Sequence, residues 1–530
     1  MLAATATPTR DRNMAKGVRI ALLVVGGIVA IGGALALRDM SPREPAAPLT
    51  ATRPAVPFRS FMAQVIETSK IADPLERCLR MPDPPGAHWH AEGVAAYCRV
   101  RYQSEITPAR FHELIADSNG AELDRIMAEY QQAESERKSS AEGLLDGAFY
   151  RMGAAVFDPG TRSALDAWKK QRPESAYAVA ASALQYTSAA WAARGEEAAR
   201  DTPDERWAAM YKQAALARTE LDRAAKMQPL VSLIFADMYR LGILTGDREY
   251  AASALARGLA MNPGDLSLRL IQSSLSGSNW GGSPQLLLSQ ASEAAAIAPG
   301  HPLLWVVVGK ARIMAATDSS LAEPLTKHFL AAASEVAAPV NLGELAYEAN
   351  RQGVLTEALI LAVEAWRFDD GQPNALYVIG AASPPTNYSD WARNVLKTAA
   401  REHPDSLRVL RVAGLGLLNL EPAEGERLLS NAVDRDPTDG STRAQLGFFY
   451  LNYARRYDKV MAMADALIRI DDDNPDGYAL RAYAQVETND PARYASIRLF
   501  LDRFGQRDGG QAAADNLRSY LAEHPEPLKH

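Results

Sequence analysis

Toward the C-terminus, apolar positions recur at helical spacing and come in pairs. Between Ser441 and Asp476, Leu446, Gly447 and Tyr450 share one face of a first helix, an Arg-Arg-Tyr-Asp turn occupies 455–458, and Met463 and Ala466 lie on a second helix. This predicts an amphipathic helical hairpin. The unit closes at Asp471, five positions after Ala466. The same offset recurs upstream, as Ala432 before Pro437, Ala399 before Pro404 and Ala365 before Asp370, at steps of 33 to 34 residues. Earlier still, Ala217, Leu221, Ala224 and Pro229 recur 34 residues on as Ala251, Leu255, Gly258 and Pro263. Small residues let two helices cross closely and a Pro or Asp ends each unit, so the period predicts a stacked helix-turn-helix array.

The array resembles the tetratricopeptide repeat. That resemblance implies an α-solenoid in which the first helix of each pair lines a concave groove, open to an extended peptide or a partner helix. In this register the groove-facing positions include Arg240, Tyr377, Phe448, Asn452 and Gln485, and the implied partner is a protein or peptide. The first-helix pattern is degraded around Tyr239 and Gly242, and between Pro263 and Asp370 the period loosens into irregular repeats. A second constellation, Trp168, Pro173, Ser175, Tyr186, Trp191, Arg194 and Gly195, is similar to an uncharacterised family of bacterial tetratricopeptide-like proteins across residues 160–300. It brings no known activity.

The N-terminus reads differently. Arg10, Arg12, Lys16 and Arg19 precede an uncharged apolar run from Ile20 to Leu37. With Gly17 and Val18 its length is about 20 residues, enough for a ~30 Å hydrocarbon layer. Basic residues before the run place the N-terminus in the cytoplasm and the body outside it. A cleaved signal peptide ending near Ala34-Leu35-Ala36 is the alternative to an uncleaved anchor, and would leave the body on the same side. The expected fold is therefore all-α, an N-terminal transmembrane helix followed by a tetratricopeptide-like solenoid, single-pass in a bacterial inner membrane with a periplasmic body.

The domain map has seven parts: a basic tail (1–16), the anchor or signal (17–37), a Pro-rich linker (38–57), an N-terminal helical cap (58–160), two repeat blocks (161–300 and 301–508), and a capping helix with tail (509–530). Pro42, Pro45, Pro48, Pro54 and Pro57 favour extended polyproline conformation in the linker, which suits a spacer.

Composition narrows the function. Apolar residues make up 47% and charged residues 23%, which excludes wholesale disorder. The first 59 residues hold eight Arg/Lys against three Asp/Glu, leaving 49 basic and 61 acidic residues, a net −12, in the rest. An acidic body without a basic stripe excludes nucleic acid as the expected partner. Cys78 and Cys98 are the only cysteines. An even count outside the cytoplasm favours a disulfide. With His88 and His90 they could instead offer four zinc ligands, though at a spacing that matches no usual zinc pattern. Asp472, Asn474, Asp476 and Gly477 open like a calcium loop, but Tyr483 stands where a bidentate Glu is required. Trp89 and Trp280, in loop-like stretches, are the tryptophans expected to be exposed.

Phosphate-loop, zinc-helix and nucleophile-elbow motifs are absent from the sequence. The expected function is accordingly a non-enzymatic scaffold without cofactor, recruiting a protein for secretion, export or envelope assembly. Two alternatives stand beside it. One is an envelope carbohydrate-active or lytic enzyme, with Glu92, Glu105, Glu113 and Asp117 of the cap as raw material. The other is a helical immunity or inhibitor protein.

Overall fold

The computed structural model describes residues 56–526 apart from 88, 137–141, 196–198, 322–324, 326–327 and 508–509. The described chain is all-α and forms two compact units that divide between Ala375 and Leu376.

In the first unit an N-terminal run of helices, α1 (Val56–Thr68), α2 (Pro74–Arg80), α3 (Ala91–Tyr102), α4 (Pro108–Ala116), α5 (Gly120–Ser135), α6 (Leu144–Arg151) and α7 (Pro159–Gln171), leads into the repeats. These are α8 (Ala176–Arg194), α9 (Asp204–Ala224), α10 (Leu233–Thr245), α11 (Arg248–Met261), α12 (Leu266–Ser274), α13 (Pro284–Ile297), α14 (Leu304–Ala316), the short α15 (Phe329–Ala332), α16 (Pro339–Arg351) and α17 (Leu355–Phe368). Helices α8 and α9, α10 and α11, α13 and α14, and α16 and α17 pack as pairs, while α8, α10, α12, α14 and α16 stack in succession. The helix starts follow local chemistry. Thr107 accepts a hydrogen bond from the Arg110 amide at 3.1 Å, Asp158 from Thr161 at 2.6 Å and Asp265 from Leu268 at 2.8 Å. Each caps a first turn whose amides have no partner within the helix.

Helix α18 (Pro373–Ala382) carries the chain across the division. The second unit continues with α19 (Ser389–Glu402), α20 (Leu407–Leu420), α21 (Pro422–Arg435), α22 (Gly440–Phe449), α23 (Tyr457–Ile470), α24 (Pro475–Glu487), α25 (Arg493–Phe504) and α26 (Gln511–Glu523). Here α20 pairs with α21, α22 with α23 and α24 with α25, and α26 packs on α25. Ser406, Asp439 and Asn474 cap α20, α22 and α24 at the same point of each repeat. The hairpin from Ser441 to Asp476 is present as α22, a π-turn over Tyr450–Ala454 that ends at Arg455 in left-handed conformation, and α23. The Tyr450 hydroxyl and Lys459 Nζ donate to Glu426 Oε1 at 3.0 and 2.8 Å, and Arg456 to its other oxygen. Partial burial pushes Glu426 up, but these donors outweigh it and hold the carboxyl down to about 2.

One expectation is corrected. Among the described residues no helix is long and apolar enough to cross a membrane. The two longest show why. Helix α9, 21 residues, carries Asp204, Glu205, Arg206, Lys212, Arg218, Glu220, Asp222 and Arg223. Nine of the 19 residues of α8 are alanine, and Ser182, Gln185, Thr187 and Ser188 interrupt the helix with polar groups. The expected span at 17–37 lies outside the described residues, as do the basic tail and most of the linker. The described residues thus form an all-α, tetratricopeptide-like helical repeat with no membrane-spanning helix among them. The single-pass inner-membrane placement, with a cytoplasmic N-terminus and periplasmic body, is withdrawn with that element.

Candidate functional site

In the first unit the N-terminal helices lie against the repeats and bond to them at several points. Asp146 on α6 accepts a hydrogen bond from the Ser267 hydroxyl at the start of α12. Glu142 sits 3.3 Å from His301 Nδ1, ahead of α14. Ser188 of α8 donates to the Ala155 carbonyl at 2.7 Å. The His90 amide donates to Glu335 at 3.1 Å, and its ring stacks on Trp305. Gly93 allows that approach, because a Cβ there would fall 2.8 Å from Trp305 Cβ. At the far end the Tyr102 hydroxyl donates to the Arg367 carbonyl at 3.0 Å and Arg101 Nε to that of Phe368 at 2.6 Å.

Cys78 and Cys98 form a disulfide that joins α2 to α3. Both sulfurs are thereby taken from the four-ligand zinc arrangement, whose His88 lies outside the described residues. Among the described residues no group of three or more His, Cys, Asp and Glu could hold a metal ion. Asp472 and Asn474 of the calcium-like stretch serve structure: Asp472 accepts from the Tyr478 hydroxyl at 2.5 Å and Asn474 caps α24. Trp89, expected to be exposed, is only 6% exposed, because its indole donates to the Ala333 carbonyl at 3.0 Å. Trp280 is 41% exposed and meets Trp191 edge to face.

Where α5 and α6 meet α10 and α12, four carboxyls converge. Asp146, Asp237 and Asp265 are 8%, 7% and 3% exposed. Burial pushes Asp146 well up, and the charges of Asp265, Glu134 and Asp237 add to that. Burial raises Asp237 to about 7, with Arg240 pulling weakly the other way. Glu134 reaches about 7 by burial, although the Leu145 amide donates to it. Asp265 is also raised by burial, against the amides it caps. Arg240, a predicted groove residue, stands beside this cluster. Its Nη1 lies 3.9 Å from Asp237 and 3.5 Å from the Ser188 hydroxyl, and its guanidinium sits over the Trp191 ring at 5.4 Å. Arg240 thus faces the seam with the N-terminal helices. No sequence signal marks these acids, because their burial comes from contacts such as the 121-residue separation between Asp146 and Ser267.

The other predicted groove residues lie from Leu376 onward. Tyr377 and Asn452 are half-buried. Phe448 is half-buried against two core clusters. Gln485 turns inward, and its amide oxygen lacks a partner among the described residues. Sequence reasoning passed over the neighbours of Phe448. Leu415 and Leu418 on α20 and Leu451 after α22 are, like Phe448, apolar and partly buried. Together they make an apolar stripe across two consecutive first helices. Arg411, paired with Asp436 at 2.7 Å, and Asn452 edge it, and Tyr453 beside it is 74% exposed. The repeat spacing of Leu415 and Phe448, 33 residues, was the available signal. Glu92, Glu105, Glu113 and Asp117 are all exposed, and Glu113 is paired with Arg110 at 2.7 Å, so the cap offers no buried carboxylate pair from this set.

Helix pairs at a 33–34-residue step with small residues at their crossings make this chain tetratricopeptide-like. A family profile described as a domain of unknown function, DUF4034, matches residues 108–273. No curated protein matches the chain. Among solved structures it is similar to YrrB, described as a tetratricopeptide protein with an unusual peptide-binding site, at 17% identity over 36% of this chain and 100% of that one, TM-score 0.25. It is similar to a tetratricopeptide repeat protein from Parabacteroides merdae at 14% identity over 54% and 99%, TM-score 0.30. Yeast Tom70 is 8% identical over 78% of this chain and 96% of that one, TM-score 0.32.

Proposed function

We propose that this protein is a non-catalytic interaction scaffold that takes up an extended segment of a partner protein along the first helices of its C-terminal repeats. The observation that carries this reading is the stripe of Leu415, Leu418, Phe448 and Leu451, partly buried yet at the surface of α20 and α22. Apolar side chains of a partner would bury against the stripe. Asn452 and Arg411 at its edges would meet the partner's polar backbone, and Tyr453 offers the amphipathic ring that recognition surfaces favour. Tyr377 and Phe448 belong to the same surface in this reading, whereas Gln485 acts by holding α24 in place.

The test is capture by the full chain from an extract of its own organism, compared with a Leu415→Glu, Phe448→Glu variant whose helicity is unchanged. Loss of one prominent protein from the variant, followed by direct binding of that purified protein with at least about tenfold weaker affinity for the variant, supports the scaffold. Equal capture by both chains refutes it.

A further inference from the structure

The seam in the first unit brings together acids from α5, α6, α10, the start of α12 and the loop before α6, with few cations to balance them. The N-terminal helices contribute Glu134 from α5, Glu142 from the loop before α6, and Asp146 and Tyr150 from α6. The repeats contribute Asp237 and Arg240 from α10, Asp265 and Arg269 at the start of α12, and His301 ahead of α14. Five carboxyls thus face two guanidiniums and one imidazole. Arg240 reaches no closer than 3.9 Å to Asp237, and Arg269 Nε is turned to the Pro263 carbonyl at 2.7 Å. Asp146 is held by one hydroxyl, that of Ser267.

We propose that this seam is a proton-dependent latch: the N-terminal helices stay packed on α10 and α12 while the shared carboxyls carry protons, and loosen when those protons leave. The physical basis is that a buried carboxylate without a matching cation is costly, so the packed arrangement binds protons more tightly than the open one. Glu134 and Asp237 are raised to about 7 by burial, and Asp146 and Asp265 are raised beside them. For acids raised in the packed state, packing is favoured at low pH and weakens as pH rises toward those raised values. Because Ser188 and Arg240 lie under the N-terminal segment, opening would uncover the first-helix face on α8 and α10. The latch does not depend on partner binding by the C-terminal repeats.

Hydrogen–deuterium exchange of the full chain at pH 5.5 and pH 8.0, corrected for intrinsic exchange, tests this. Protection in 120–135, 144–151 and 266–274 should fall by about tenfold or more at pH 8.0, while 407–470 holds constant. In an Asp146→Asn, Asp265→Asn variant the difference in protection between the two pH values should shrink by at least about half, Glu134 and Asp237 remaining to titrate. Should that variant fail to fold, Asp237→Asn alone should reduce the pH effect in 233–245. Equal protection of the parent at both pH values, or an undiminished pH effect in a folded variant, overturns the latch.

Discussion

Arg367 Nε donates to the carbonyl oxygen of Cys78 at 2.9 Å, so a repeat helix is bonded directly to the disulfide-bearing helix α2 of the N-terminal segment. The same guanidinium reaches Asp83 at 2.8 Å and Glu364 at 3.2 Å, and both Arg367 and Glu364 are buried. Glu364 is raised to about 8 by burial, with Arg367 opposing the rise. Above about pH 8, where Glu364 ionises, removing Arg367 leaves that buried carboxylate uncompensated. At such a pH Arg367→Met is predicted to cost about 3–5 kcal/mol in urea unfolding, and adding Glu364→Leu should recover part of the loss, the bonds to Cys78 and Asp83 staying lost.

The disulfide closes a loop across 20 positions. Under the chain-entropy account that constraint stabilises the fold by about 3 kcal/mol. Cys78→Ser with Cys98→Ser should lower stability by that order. Reductant should do the same to the parent and leave the variant's melting curve unmoved.

Stability should also depend on pH with a definite sign. Asp237 is raised to about 7 in the folded chain. An acid raised on folding is destabilising once ionised, so its contribution worsens from its ordinary range, near pH 4, up to about 7 and then levels off. Asp237→Asn should therefore flatten the stability profile between those limits. At pH 8 it should make the chain more stable by up to a few kcal/mol, read from denaturant midpoints.

The helix crossings of the C-terminal repeats depend on backbone contact. A Cβ on Gly425 of α21 would fall 2.5 Å from the Leu418 amide nitrogen, whereas one on Gly440 would meet the side-chain tips of Leu467 and Asn474 at 3.5 and 3.9 Å, ordinary contact distances. Gly425→Ala should destabilise by about 1–3 kcal/mol, because backbone cannot yield as a side-chain tip can. Gly440→Ala should change stability by less than about 0.5 kcal/mol.

The second helices were legible in the sequence because their constraints are local. Ala432 and Ala466 mark crossings, and Pro437 and Asp471 mark ends, at a fixed step. The π-turn after α22 was legible only as a turn at 455–458. The seam was not legible. Asp146 and Asp237 look like ordinary surface acids on their helices, and only the folding of α6 onto α10 and α12 takes them out of water. Trp89 failed for the same reason: its loop looks exposed until the Ala333 carbonyl, 244 positions away, meets its indole. Of the groove positions expected from periodicity, Phe448 and Asn452 are half-buried. Gln485 turned inward because α24 carries Tyr478, Ala482 and Tyr483 into the terminal core with α25 and α26.

The central claim is that the first helices of the C-terminal repeats receive a partner. Site-specific photo-crosslinking in the native organism tests it most directly, with the probe at Asn452 beside the stripe or at Ala462, exposed on the second helix α23. The account predicts one discrete crosslinked protein from position 452, absent from position 462 and abolished by Phe448→Glu. Identical products from both positions, or a product from 452 that survives Phe448→Glu, would contradict it.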